Sequence, residues 1–210
     1  MNKSGAENRS VRNTKRRLRE GLLTLMEEKP INEISVKELT DLVDVNRGTF
    51  YFHYQDIYDL LRDMEQDFFD QFDRTLSENK PALDEDGFPV FDSEGAPYLH
   101  AVFSFLDERR SFCRIMLSPR GDMQFVDLVK KRVDSQCRFF WQLLAPGADE
   151  ERRSMYNAFL INGCIGLIQE WVNDRRDLSV ESISELTATL ILASVGPCSR
   201  GDVRRRCRLR

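Results

Sequence analysis

An all-α fold is what this sequence predicts, and three observations predict it. Apolar residues recur at the i, i+3, i+4 spacing that lines one face of a helix through most of the chain. The breaks between these runs carry helix punctuation, at Lys29-Pro30, Asp44-Val45-Asn46, Pro119 to Gly121, Pro146-Gly147 and Gly196-Pro197. No stretch alternates apolar and polar residues as a half-buried strand does, and no internal repeat is found.

In order, Asn8 to Arg17 reads as an arm that becomes helical toward Val11. Leu18, Leu22, Leu25 and Met26 then form the stripe of a first helix ending near Lys29-Pro30, because proline disfavours helical backbone before it. In the next segment Val36, Leu39, Leu42 and Val43 share a face. Ser35 stands at its N-cap with Glu38 three residues on, the spacing of a capping box. Asp44 to Asn46 interrupts the pattern; Asp and Asn tolerate left-handed backbone, and Asn46 suits the next N-cap. The segment Arg47 to Tyr54 turns Phe50 inward, with Tyr54, and leaves Arg47, Thr49, Tyr51 and His53 outside. These helices are expected to enclose Leu22, Leu25, Ile34, Leu39, Leu42, Val45 and Phe50.

A long helix follows, with Asp56 as N-cap and Asp59 in the first turn, where the helix dipole favours negative charge. Ile57, Leu60, Leu61, Met64, Phe68, Phe72 and Leu76 keep one side apolar to Ser77-Glu78-Asn79, and such a helix suits a lever. Asn79 to Pro97 is a loop rich in proline and acid. From Tyr98 the pattern resumes in a pair of shorter helices, a helix capped by Asp122, another from about Asp149 to Asn173, and a last from about Ser179 to Val195.

Composition bounds the function. With 41% hydrophobic and 31% charged residues, the 210-residue chain is of the soluble globular type and long enough for a sizeable core. No window approaches about 18 consecutive apolar residues, and MNKSGAENRS lacks the apolar core of a secretory signal. Five cysteines without CxxC spacing argue against a disulfide framework or zinc ribbon, so a reducing cytoplasm and small buried thiols are expected. The net charge of −4 conceals an uneven distribution. Arg9, Arg12, Lys15, Arg16, Arg17 and Arg19 cluster without an acid between Asn8 and Arg19, and six arginines against Asp202 follow Ser199. A basic arm on an acidic body can engage phosphate; the C-terminal run reads as a solvated tail.

The run Arg47-Gly48-Thr49-Phe50-Tyr51-Phe52-His53-Tyr54, with Tyr58-Asp59-Leu60-Leu61 after it, resembles the recognition helix and fourth-helix entry of the TetR-type transcriptional regulators. The resemblance is best over Arg12 to Leu61. Gly163, Gly166 and Trp171 are similar to the Gly-rich, Trp-bearing penultimate helix of the DhaS-like subgroup. The fold implied is an N-terminal three-helix helix-turn-helix bundle plus a C-terminal helical dimerisation and ligand domain. Its boundaries are a DNA-binding domain with basic arm over 1–55, a regulatory and dimerisation domain over 56–197, and a basic tail over 198–210.

The expected DNA-binding residues are Lys15, Arg16, Lys37, Asn46, Arg47, Gly48, Thr49, Tyr51, Phe52 and His53. Arg47 can fork onto guanine or hold a phosphate, Gly48 lets backbone approach the duplex, and hydroxyl and imidazole groups suit phosphate oxygens. Phe52 either contacts thymine methyl groups or packs on the first helix. Lys37 reaches phosphate beside a helix N-terminus. Three positions depart from the family pattern: Ile57 replaces a phosphate-binding lysine, Asp44 the turn glycine and Thr40 a small alanine.

The resemblance also implies a homodimer, formed by Tyr156, Phe159, Leu160, Gly163, Leu167, Trp171, Ile183, Leu186 and Leu190, that binds a palindromic double-stranded DNA operator. A small-molecule effector would sit among Phe103, Phe112, Met116, Phe125 and Phe140, although an aromatic stripe at this spacing is more often plain core. No cofactor, metal or membrane is expected. With only His53 and His100, and no nucleophile motif or phosphate loop, an enzyme is disfavoured. The competing reading keeps the fold and acts through protein–protein contacts without DNA.

Overall fold

The computed structural model describes residues 9–80, 97–118, 121, 123–144, 150–173 and 178–195. Among these, the secondary structure is entirely helical. The expected cap at Asp122, most of the expected acidic loop and the basic tail over 198–210 lie outside the described residues. The elements are α1 (Arg9–Glu28), a 3-10 turn (Ile31–Glu33), α2 (Val36–Leu42), α3 (Arg47–His53), α4 (Ile57–Glu78), α5 (Pro97–Glu108), α6 (Arg110–Met116), α7 (Met123–Leu144), α8 (Glu150–Asn173) and α9 (Val180–Val195). The chain forms two compact units, Met1–Asp70 and Gln71–Arg210, the division falling within α4.

In the first unit, Leu18, Leu22, Leu39, Phe50 and Leu60 lose all exposure, and Ile34, Tyr54 and Ile57 are buried with them. Removing such side chains from water is what holds short helices that would melt alone. Leu42, expected in this core, is 50% exposed instead. The inward face of α2 is set by Leu39 and the fully buried Thr40, and Leu42 lies well round the axis from their midpoint. The Thr40 hydroxyl is satisfied by the Val36 carbonyl at 2.8 Å and the Lys37 carbonyl at 3.0 Å, so burial leaves no orphan donor.

The helix starts follow from local chemistry. Ser35 Oγ accepts from the Glu38 amide at 3.2 Å. The reciprocal half of that capping box is absent, because the Glu38 carboxylate takes Lys29 Nζ at 2.6 Å. Asn46 Oδ1 accepts from the Gly48 amide at 2.7 Å and opens α3. At α4, Asp56 Oδ1 accepts from the Asp59 amide at 2.7 Å while Asp59 Oδ2 accepts from the Gln55 amide at 3.0 Å. Each cap satisfies amides that a helix cannot pair internally.

Between α2 and α3, Asp44 has φ 49°, the left-handed conformation that a glycine would adopt without strain. Arg17 of α1 donates to the carbonyls of Val43 and, at 3.2 Å, Asp44, pinning that turn. Gly21 lets α1 and α2 approach: a Cβ there would overlap Val43 Cγ1 and lie 3.0 Å from Leu39 Cδ1.

The second unit is built on aromatic pairs. Phe72 meets Phe105 at 5.5 Å, Phe103 meets Trp171 edge-on at 5.3 Å, and Phe112 meets Phe125 edge-on at 5.5 Å. These are separations at which ring quadrupoles attract. Trp171 is 2% exposed; its Nε1 donates to the Leu178 carbonyl at 2.9 Å and the Arg110 guanidinium lies 4.7 Å over its ring. Gln169 Nε2 on α8 donates to the Leu117 carbonyl after α6 at 2.7 Å. Cys113 is buried, which pushes its thiol up to about 12 and leaves it a small hydrophobe.

Candidate nucleic-acid interface

Phe50, at 0% exposure, anchors α3 rotationally, and every residue from Arg47 to Thr49 and from Tyr51 to Phe52 is exposed. Tyr51 is 59% and Phe52 80% exposed, while His53 is half-buried. Tyr51 therefore does not belong to the core. Arg47 and Lys37 are exposed and make no ion pair among the described residues. Phe52 sits edge-on to His53 at 5.0 Å. Together with Ser10, Val11 and Thr14 of α1 and Gly48 and Thr49 of α3, they line an open groove of about 340 Å³.

Several expected contacts have other partners. Asn46 commits its side-chain oxygen to the N-cap. Gly48 has a structural reason as well as a steric one, since an added Cβ would stand 3.1 Å from Asn46 Oδ1 and crowd the cap. Arg16 pairs with Glu20 at 2.9 Å and Asn13 at 2.9 Å, both exposed contacts that phosphate can replace at little cost. Lys15 is half-buried. Ile57, expected to replace a phosphate-binding lysine, is 4% exposed and spent on packing.

The charge run of α1 conceals a clamp that sequence reading missed. Arg19 bonds Asp63 at 2.8 Å and Asp67 at 3.0 Å, and Tyr54 Oη donates to the same Asp63 oxygen at 2.8 Å. Burial pushes the Asp63 carboxyl up, but the hydrogen bonds from Arg19 and Tyr54 and the charges of Arg19 and Lys15 outweigh it and hold it below the usual carboxylate range. Burial and the bond to Asp63 raise Tyr54 well above the ordinary phenol. Tyr54 directly follows α3, so the clamp ties the end of the exposed helix to α1 and α4. Arg17 and Arg19 are thus committed to partners within the chain. Nothing local in the sequence marks this clamp, since its acids lie 44 and 48 residues beyond Arg19.

The expected dimer residues divide. Phe159, Leu186 and Leu190 are exposed at 66%, 42% and 48%, and Met155 joins them at 68%. Gly163 and Gly166 have nothing within 4 Å of an added Cβ, and Tyr156, Leu160 and Leu167 are half-buried. Trp171 and Ile183, at 2% and 1% exposure, are buried within their own chain. The expected effector residues Phe103, Phe112, Met116 and Phe125 are buried and packed, three of them in the ring pairs above, and the Phe140 side chain lies outside the described residues.

Comparison with known proteins places this geometry. The chain superimposes on a TetR-like transcriptional regulator from Rhodococcus sp. RHA1 with a TM-score of 0.65 and 15% identity, covering 91% of this chain and 99% of that one. The fold is that of the TetR-type transcriptional regulators. Residues 95–193 match a TetR family model described as the transcriptional regulator C-terminal region. An uncharacterized HTH-type transcriptional regulator, YxbF of Bacillus subtilis (strain 168), is 25% identical over 179 residues, or 83% of this chain. The matched region spans only 43% of that relative's length. The dihydroxyacetone kinase operon activator DhaS superimposes with a TM-score of 0.52 and 17% identity over 88% of this chain and 97% of its own. That likeness is of fold and does not single out the DhaS-like subgroup. Together these matches support a TetR-family regulator, and they are to regulators of transcription rather than to enzymes. Among the described residues no helix is long and apolar enough to cross a membrane.

Proposed function

We propose that this chain is a sequence-specific DNA-binding regulator that grips a palindromic operator as a homodimer in the cytoplasm, with α3 in the major groove. One observation carries the reading: α3 buries Phe50 completely and leaves Arg47, Thr49, Tyr51 and Phe52 outward on a helix fixed at both ends. Base reading needs such rigidity, because a side chain displaced by an ångström loses its hydrogen bond. Arg47 reads a base or holds a phosphate, Thr49 and His53 grip the backbone, and Lys37 adds charge at the start of α2. The dimer face comprises Phe159 and Gly163 on α8 with Leu186 and Leu190 on α9; the three apolar side chains are exposed, and among the described residues nothing lies within 4 Å of a Cβ added at Gly163. A twofold axis through that face presents two reading helices, which implies half-sites about one helical turn, roughly 34–36 Å, apart. The region 56–197 would then carry dimerisation and effector response, by analogy with the family; Gly163 and Gly166 keep the DhaS-like affinity as a finer form of the same proposal.

Selection of bound duplexes from random DNA tests this reading: palindromic sequences should be enriched. Arg47→Ala should then weaken binding by about 1–3 kcal/mol and relax preference at one base pair per half-site. Equal loss on selected and random DNA reassigns Arg47 to phosphate. The burial of Ile57 in place of a phosphate-binding lysine favours a second reading, a regulator-like dimer that works through protein contacts. A stable dimer that enriches no sequence supports that one.

A further inference from the structure

Resting on the assignment of α3 as the DNA-reading helix, we propose that Phe52 specifies thymine, its ring lying against the 5-methyl group in the major groove. The buried Phe50 sets which side of α3 points outward. Two residues along an α-helix is about 200° of rotation, so Gly48 and Phe52 both lie within about 20° of diametrically opposite Phe50. Four residues apart, they stack one above the other. The outermost ridge of α3 therefore has no side chain at Gly48 and an aromatic ring at Phe52. Arg47 and Tyr51 flank that ridge on one side, and Thr49 and His53 on the other.

The flanks are polar and the ridge is not, which sorts their tasks. The ridge enters deepest and meets base edges, while the polar flanks can reach either the outer base edges or the phosphates beside them. A phenyl ring has no donor or acceptor, and pressing it on the polar edges of guanine, adenine or cytosine strips water without replacing the hydrogen bonds. The thymine methyl is the one apolar group that the four bases present in that groove. Phe52 is suited to it. At 80% exposure it is free to make the contact, and the edge-on packing against His53 at 5.0 Å steadies the ring.

The test uses the full chain and duplexes it selects from a random pool. Each thymine is replaced in turn by deoxyuridine, which removes the methyl and nothing else. One position in each half-site should bind about three- to five-fold more weakly, the worth of burying a single methyl-sized group. In Phe52→Ala that same position should become indifferent to the methyl while the other positions keep their wild-type response. Circular dichroism should show an unchanged fold, since the side chain is exposed. Saturable binding with a flat uridine scan overturns the assignment, as does a uridine penalty that survives in Phe52→Ala. Failure to select any duplex overturns the DNA-reading assignment itself, and this proposal with it.

Discussion

Gly21→Ala reverses the usual sign of a glycine-to-alanine change within a helix. In an exposed helix interior alanine stabilises by about 0.8–1.0 kcal/mol relative to glycine. At position 21 the added methyl overlaps Val43 Cγ1 and stands 3.0 Å from Leu39 Cδ1, whereas carbon atoms pack best at about 3.5–4.0 Å. Val43 cannot swing aside freely, because it is β-branched and caps α2 directly before the left-handed Asp44. Overpacking of this kind costs about 1–3 kcal/mol, so the net effect is a loss of roughly 0–2 kcal/mol where a gain would otherwise be expected. Truncating the neighbour in Val43→Ala should relieve the overlap, so that Gly21→Ala becomes stabilising in that background. The double-mutant cycle isolates this coupling. Both tryptophans, Trp141 and Trp171, belong to the second unit, so the readout for the first is hydrogen exchange of the α1 and α2 amides. A single Gly21→Ala variant with slower exchange in α1 would refute the packing argument, and so would equal effects of Gly21→Ala in the wild-type and Val43→Ala backgrounds.

Three further outcomes follow from the same geometry. Asp63→Asn removes a carboxylate charge whose folded pKa is depressed, so the contribution it deletes is present above the ordinary carboxylate pKa of about 3.9 and fades as pH falls through the lower folded value. Hydrogen exchange at neutral pH should therefore show a weakened first unit, with the difference from wild type shrinking in acid; a constant difference across that window would reject the linkage. Lys37→Ala should weaken selected and random DNA alike and reduce the salt slope by about one, and a sequence-dependent loss would make Lys37 a base reader instead. Phe159→Glu should yield folded monomers by analytical ultracentrifugation, whereas Trp171→Ala should cost about 3–5 kcal/mol of stability, because its ring is core. Dimers that survive Phe159→Glu would move the interface elsewhere.

What was legible in the sequence was chiefly what is decided within a few residues. Ser35, Asn46 and Asp56 cap the helices they precede because an oxygen one turn before an orphan amide needs no distant partner. Asp44 takes the left-handed turn for a similarly local reason. Tertiary partners hid the rest. Arg17 and Arg19 looked like members of a phosphate-seeking run until partners 26 to 48 residues away claimed them. Glu38 matched a capping box, yet Lys29 takes its carboxylate. Trp171 and Ile183 belong to apolar helices with two candidate faces, and periodicity alone cannot say which face meets a neighbour in the same chain. Leu42 shows the converse: it matched the stripe, but a short helix has room for few inward positions, and Thr40 took one of them.

The central claim is most directly tested by fluorescence anisotropy of the intact protein on a selected palindromic duplex, titrated at several salt concentrations. Saturation at one dimer per duplex, with affinity falling steeply and linearly in log–log form as salt rises, is the predicted result. A protein that remains dimeric and folded yet leaves the duplex unbound even at low salt would contradict it.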